Sequence, residues 1–250
     1  MGRPPPVHGT PTATLPDMSD TVSSTIEGDV TVIRVDDGKA NALSFELIEG
    51  VAAAIEAGVA ESKAIAIIGR EGKFSAGFDL SVMTGGDIAA ARDLLGAGAR
   101  LGLQIFEAPV PVVLGVTGHA IAMGGILTTC ADYRVGADGP YKVGLNEVSN
   151  GMPVPGFAVG MCRDRLTPPW FARCVQSAYM CSPSEALEAG FFDEIRPLEE
   201  VAPRAIEVAT QLASYVHAAP FRTTRTIVRG ELASRLREGL AADLSMFDVS

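Results

Sequence analysis

Short apolar stretches separated by turn residues recur along the first half of the chain. Residues 24–27 and Val30–Val35 flank the pair Gly28-Asp29, and this pattern predicts a strand, a tight turn and a second strand. Further strands are predicted at Ala64–Ile68, Pro111–Val116 and Asp132–Val135.

Helical patterns lie between and after these strands. Ser44 is a candidate N-cap for a helix that runs to about Val59, and Asp87 is a candidate N-cap for a longer helix that runs to about Phe106. From Pro155 onward the pattern is mainly helical. Helices are predicted there at residues 155–165, 168–179, 183–189, 199–217 and 220–246.

This order of elements predicts an α/β fold with a helical C-terminal region. Residues 1–20 are rich in proline and threonine and lack the apolar segment of a signal peptide, so we expect a disordered N-terminal arm. Because Pro197 interrupts the pattern, a core domain is predicted at residues 21–197 and a helical region at residues 198–250. The last helices are expected to cover the core or to pack on a neighbouring subunit.

Charge and cysteine content narrow the classes of function. The 250 residues include 20 Lys and Arg against 30 Asp and Glu, and this acidic balance disfavours nucleic acid and anionic membranes as partners. No apolar run reaches the roughly 18 residues of a membrane-spanning helix. The four cysteines form no CxxC pair and have no histidine at metal-ligand spacing, so we expect a reduced cytoplasmic chain without a metal site.

Several nucleotide and nucleophile motifs are absent. No GxGxxG follows a strand, so nicotinamide or flavin binding is not indicated. The segment around Ser75 resembles a nucleophile elbow, but Lys73 stands where the first glycine should be. Ser75 is therefore expected to be a loop residue.

Two glycine-containing loops, within residues 71–78 and 118–125, each follow an apolar strand and lead towards a helix, the second through Cys130. Amide groups in the first turn of a helix have no intrahelical acceptor, and the helix dipole favours negative charge beside them. Two such amides that converge would form an oxyanion hole. The alternative interpretation is that both loops are ordinary connections between a strand and a helix, which have the same spacing.

Four segments together resemble the crotonase superfamily, also called the enoyl-CoA hydratase/isomerase family. They are FSAGFDL at 74–80, VTGHAIAMGG at 116–125, ADYRV at 131–135 and KVGLNEV at 142–148. The resemblance covers roughly residues 22–200. It implies a crotonase-like spiral of ββα turns that assembles as a homotrimer or a hexamer, and it implies an acyl-CoA thioester as substrate. No separate cofactor is implied, because coenzyme A is part of the substrate.

The resemblance also implies roles for individual residues. Two backbone amides, by position those of Phe78 and Met123, would bind the thioester oxygen. Met123 replaces the glycine that is usual at the second position, which leaves the amide in place but narrows the pocket. The neighbouring residues implied to bind substrate are Ala76, Gly77, Gly124 and Ile126.

Typical hydratases of this family carry two catalytic glutamates, and here one of those positions is Ile126 while the other is Glu147. The segment around Glu147 resembles that of the family's 3,2-enoyl-CoA isomerases, which work with one glutamate. The implied reaction is removal of a C2 proton from a 3-enoyl-CoA and its return at C4. Alternatives are a hydratase acting on 2-enoyl-CoA, a non-catalytic acyl-CoA binder and, as a weaker alternative, a hydrolase or decarboxylase.

Other polar residues are expected to have structural roles. Asp79 is expected to cap a helix, Asp132 to serve the turn into its strand, and His119 to be a loop histidine. The basic residues considered for contact with the CoA phosphates are Arg70, Lys73 and Arg225.

Overall fold

The computed structural model describes residues 21–245. The predicted N-terminal arm, residues 1–20, lies outside the described residues. The strands are β1 (Val22–Glu27), β2 (Val30–Val35), β3 (Ala64–Ile68), β4 (Gly72–Ser75), β5 (Val112–Val116), β6 (Gly118–Ile121), β7 (Tyr133–Ala137), β8 (Val143–Gly144) and β9 (Glu194–Arg196). The α-helices are α1 (Phe45–Glu61), α2 (Leu80–Met83), α3 (Ile88–Glu107), α4 (Met123–Thr128), α5 (Gly156–Arg165), α6 (Pro168–Phe171), α7 (Pro183–Ala189), α8 (Leu198–Tyr215) and α9 (Ala218–Ser245).

The strands form two sheets. The larger sheet has the order β1-β2-β3-β5-β7-β9, and the smaller has the order β4-β6-β8. Apart from the antiparallel β1–β2 hairpin, all neighbouring strands in both sheets are parallel. Three consecutive pairs of strands are divided between the sheets in the same way, and they are β3–β4, β5–β6 and β7–β8. In each pair the first strand belongs to the larger sheet and the second to the smaller one. This repetition makes the spiral that the resemblance implies, and it confirms the α/β class.

Helices cover both faces of the larger sheet. In β3, Ile65 and Ile67 belong to the core cluster that includes α1, whereas Ala66 and Ile68 belong to the cluster formed with α8. Successive side chains of a strand point to opposite faces, so this fully apolar strand is buried on both sides. Helix α9 packs along α3 and α5. The last helices therefore cover the core of their own chain. No helix within residues 21–245 is long and apolar enough to cross a membrane.

The small sheet is where the sequence prediction was wrong. Residues 71–78 and 118–125, predicted to be loops, contain β4 and β6, and α4 ends at Thr128 before reaching Cys130. The glycines that suggested loops permit strand contact instead, because a Cβ on Gly118 would lie 2.0 Å from the carbonyl carbon of Gly72. The helix predicted at 168–179 also ends early, at α6, and a π-helical turn follows at Ala172–Gln176.

Candidate active site

The first predicted amide donor, that of Phe78, follows a turn at Gly77, whose φ is +92°. Leu43 N–H donates to Gly77 O at 2.8 Å, and Asp79 N–H donates to Leu43 O at 3.1 Å. The C=O and N–H bonds of a trans peptide group point in opposite directions. Because Leu43 holds Gly77 O, the Phe78 N–H in the same peptide group points away from Leu43. As expected, Asp79 caps α2, since its carboxylate accepts from Ser81 N–H at 2.8 Å.

The second predicted donor is the amide of Met123, the first residue of α4. The preceding residue, Ala122, has φ 53° and ψ −123°, and no side chain caps the helix. Strained backbone of this kind costs about 1–3 kcal/mol and clusters at functional sites. Ala122 is held there by its own N–H, which donates to Gly144 O at 2.9 Å.

The structure brings these two segments into contact. A Cβ on Gly77 would lie 2.9 Å from the Cβ of Ala122 and 3.6 Å from the amide nitrogen of Met123. Within residues 21–245, neither the Phe78 amide nor the Met123 amide donates to a protein acceptor. The segments that carry the two predicted donors are therefore in contact, and both amides are without a protein acceptor in the described part of the chain.

Glycines let the surrounding elements approach these amides. A Cβ on Gly98 of α3 would lie 2.5 Å from the ring of Phe78 and 3.6 Å from the Cε of Met123. A Cβ on Gly124 would lie 2.5 Å from Ser75 O, and one on Gly125 would lie 2.7 Å from Gly144 O. The structure therefore places Gly124 in packing between α4 and β4.

A cavity of about 220 Å³ lies beside the two amides. Four predicted residues line it, and they are Ala76, Phe78, Ile126 and Glu147. The other three predicted residues, Gly77, Met123 and Gly124, do not line it. The walls are mostly apolar, and they include Leu80, Met83, Leu95, Met152 and Phe157.

The Glu147 carboxyl is largely buried at this cavity. Its Oε2 atom has no hydrogen-bond partner among the described residues. Burial raises the pKa of Glu147 above its ordinary value, although hydrogen bonds from its own amide and that of Asn146 partly oppose the change. A carboxyl with a raised pKa beside a ligand cavity is suited to accept and return a proton.

Glu147 is the only carboxylate among the residues that line this cavity in the described part of the chain. Ile126, one turn along α4 from Met123, is 2% exposed and lines the same cavity. The position at which typical hydratases carry their other glutamate is therefore an apolar wall. Sequence reasoning did not single out Asn146 and Asn150, which are polar lining residues of the cavity. Asn146 belongs to the segment at 142–148 that carries the family resemblance, and Asn150 lies three residues after Glu147.

The remaining candidates lie away from the cavity lining. His119 on β6 accepts from Lys142 N–H through Nδ1 at 3.1 Å and stacks edge-on against Tyr141, and burial lowers its pKa. Asp132 accepts from Val112 N–H at 2.8 Å and binds Arg225 at 2.6 Å.

The basic residues considered for the CoA phosphates differ in their pairing. Arg225 is buried against Asp132 and donates to Phe106 O, so its guanidinium already has protein partners. Arg70 forms an ion pair with Asp36 at 2.8 Å. Lys73 is the one of the three candidates without an ion pair within residues 21–245.

The chain matches the enoyl-CoA hydratase/isomerase family model over residues 25–249. It is 29% identical to human mitochondrial enoyl-CoA delta isomerase 1 over 223 residues. This alignment covers 87% of this chain and 73% of that protein. An enoyl-CoA hydratase/isomerase family protein from Pseudomonas syringae has a TM-score of 0.88 at 34% identity, covering 92% of this chain and 99% of that one. An enoyl-CoA hydratase from Mycobacterium marinum has a TM-score of 0.83 at 36% identity, covering 89% and 99%.

These relatives include both isomerases and hydratases, which confirms at the family level the prediction of an enzyme of one of those two types. The crotonase-like spiral is also confirmed, because the solved structures match nearly the whole described chain. The chain belongs to the enoyl-CoA hydratase/isomerase family.

Proposed function

We propose that this chain is an enoyl-CoA isomerase that moves the double bond of a 3-enoyl-CoA to the 2 position. The observation that carries the proposal is the pairing of one carboxylate, Glu147, with an apolar residue, Ile126, in a cavity beside two amides without protein acceptors. Moving a double bond needs one base, which takes a proton from one carbon and returns it to another.

In the proposed reaction the thioester oxygen accepts hydrogen bonds from the Phe78 and Met123 amides. Glu147 removes a proton from C2, and the electron pair of that C–H bond moves into a conjugated dienolate. The Glu147 carboxylic acid then returns the proton to C4, so the double bond moves from C3–C4 to C2–C3 with no atom gained or lost. Each amide is expected to stabilise the enolate oxygen by about 3 kcal/mol.

Hydratase activity is the second candidate, and the match to a hydratase from Mycobacterium marinum favours it. Hydration of a 2-enoyl-CoA is helped by one group that activates water and another that delivers a proton. Ile126 has no proton to deliver, so we expect hydration to be the slower reaction.

The proposal includes an acyl-CoA substrate and a homotrimeric or hexameric assembly. Lys73 is the remaining candidate for contact with the CoA phosphates. The side chain of Ile227 on α9 is 77% exposed and that of Val228 is 70% exposed, which supports burial of this helix against another subunit. Light scattering of the purified protein measures the assembly. A cytoplasmic location stays a prediction.

The experiment is a panel of 3-enoyl-CoA and 2-enoyl-CoA substrates of different chain lengths, assayed with the wild type and with Glu147→Gln. We expect isomerisation to exceed hydration and the substitution to abolish both. Wild-type rates that survive in Glu147→Gln would refute the assignment of the base. Tight thioester binding without turnover of any substrate would instead support the non-catalytic binder.

A further inference from the structure

A buried polar contact joins the β2–α1 connection to the turn that carries the Phe78 amide. Its two side chains are those of Asn41, which is fully buried, and Ser75, which is 3% exposed. Neither residue lines the cavity at Glu147. We propose that Asn41 and Ser75 are positioning residues that fix the direction of the Phe78 amide, an inference that rests on the proposed oxyanion role of that amide.

Asn41 ties the end of β2 to β4. Its Nδ2 donates to Val35 O at 2.8 Å and, at 3.3 Å, to the carbonyl oxygens of Lys73 and Phe74. Its Oδ1 accepts from Asp37 N–H at 2.9 Å. Its φ of 49° is in the left-handed region, which asparagine tolerates better than most residues. One carboxamide therefore contacts four backbone groups.

Ser75 extends this contact into the turn. Its Oγ donates to Asn41 O at 2.8 Å and accepts from Gly77 N–H at 3.2 Å. The amide of Ala76 donates to Ala40 O at 3.0 Å. The three residues before Phe78 are thus each hydrogen-bonded, and two of these bonds lead to the β2–α1 connection.

These bonds determine the orientation of one peptide group. The Gly77–Phe78 peptide contains both the carbonyl that Leu43 holds and the amide proposed to bind substrate. Ser75 Oγ accepts a hydrogen bond from the N–H of Gly77, which belongs to the preceding peptide group. Loss of the Ser75 hydroxyl removes the acceptor of the Gly77 N–H and leaves Gly77 held through Leu43 alone among the described residues. A glycine backbone has a wide range of alternative conformations. The Phe78 N–H then samples directions that no longer meet the Met123 amide.

The test compares Ser75→Ala with Thr31→Val as a matched control. Thr31 is also fully buried, and its hydroxyl bonds to Ser62 Oγ at 2.7 Å, but it packs on Gly58 of α1. We expect Ser75→Ala to lower kcat on a 3-enoyl-CoA by about tenfold to a hundredfold, the scale of an ångström-sized misplacement, with KM changed less than about twofold. Thr31→Val is expected to leave kcat unchanged.

Asn41→Gly provides an independent variant if Ser75→Ala does not fold. Glycine accepts the left-handed φ, so this change removes the carboxamide without adding backbone strain. It is expected to lower kcat in the same way as Ser75→Ala. If the wild type is active and kcat is unchanged in folded Asn41→Gly, the positioning role is overturned.

Amide hydrogen exchange separates this inference from the proposed function. The Leu43 N–H bonds to Gly77 O, so it reports on the turn whether or not substrate is converted. We expect its exchange to be at least about tenfold faster in Ser75→Ala than in Thr31→Val. Unchanged exchange would overturn the inference. A wild type that does not turn over any enoyl-CoA would refute only the proposed function.

Discussion

Gly98 of α3 provides a quantitative test of how the helix packs against the proposed oxyanion site. In Gly98→Ala the new methyl would lie 2.5 Å from the Cε1 and Cζ atoms of Phe78, well inside van der Waals contact. Alanine gains about 1 kcal/mol of helix propensity over glycine, whereas overpacking costs about 1–3 kcal/mol. We therefore expect a net loss of about 1 kcal/mol in the free energy of unfolding and a Tm lower by about 2–4 °C.

Gly239→Ala in α9 is the matched control, because nothing lies within 4 Å of its added Cβ. That variant should gain about 1 kcal/mol from helix propensity alone. Urea unfolding measures both free energies, and the enoyl-CoA assay measures kcat. Displacement of the Phe78 ring should also lower kcat in Gly98→Ala by about tenfold. Equal stabilisation of the two variants, with kcat retained in Gly98→Ala, would refute the packing argument.

Four further predictions concern the cavity and a buried ion pair. Because burial raises the pKa of Glu147, the isomerisation rate should fall on the acid side at a pH above the usual glutamate pKa, and a pH–rate profile checks this. The same raised pKa means that ionisation of Glu147 opposes folding. The contribution of Glu147 to stability is therefore largest below its pKa in the unfolded chain and is lost as pH rises through its pKa in the folded chain. Glu147→Gln should accordingly be at least as stable as the wild type at pH 7, as measured by urea unfolding. Ile126→Glu restores the two-glutamate pattern and should produce 3-hydroxyacyl-CoA from 2-enoyl-CoA at a rate above wild type, while lowering the free energy of unfolding because it buries a carboxyl. Arg225→Ala leaves the Asp132 carboxylate without its closest cation and should lower the free energy of unfolding by about 3 kcal/mol, with KM for enoyl-CoA unchanged; a raised KM would instead indicate phosphate contact.

Local patterns predicted those elements whose stabilising contacts are themselves local. Ser44 and Asp87 cap α1 and α3 as predicted, because each side chain accepts an amide three residues ahead. The apolar runs of β2 and β3 were also located correctly. In contrast, β8 has two residues and β9 has three, and strands this short are specified by the neighbours with which they pair.

The candidate site could be predicted in part from the sequence because each family motif is a short continuous segment of the chain. Phe78, Met123 and Glu147 were each predicted from their own segments. Asn41 was not, because its bonds reach residues 32 and 33 positions away, and no local pattern records them. Likewise, no local pattern shows that Gly98 of α3 lies against the ring of Phe78.

The amino-acid sequence by itself therefore determined the α/β class, the order of the main elements and the family, and it predicted a site with a single glutamate. Only the tertiary structure decided which glycines are strand or helix contacts and which polar residues hold the Phe78 turn. It also placed Ile126 and Glu147 on one cavity. The physical reason is range: propensity, capping and periodicity act within a few residues, whereas a cavity and a buried hydrogen-bond network exist only when distant segments pack together.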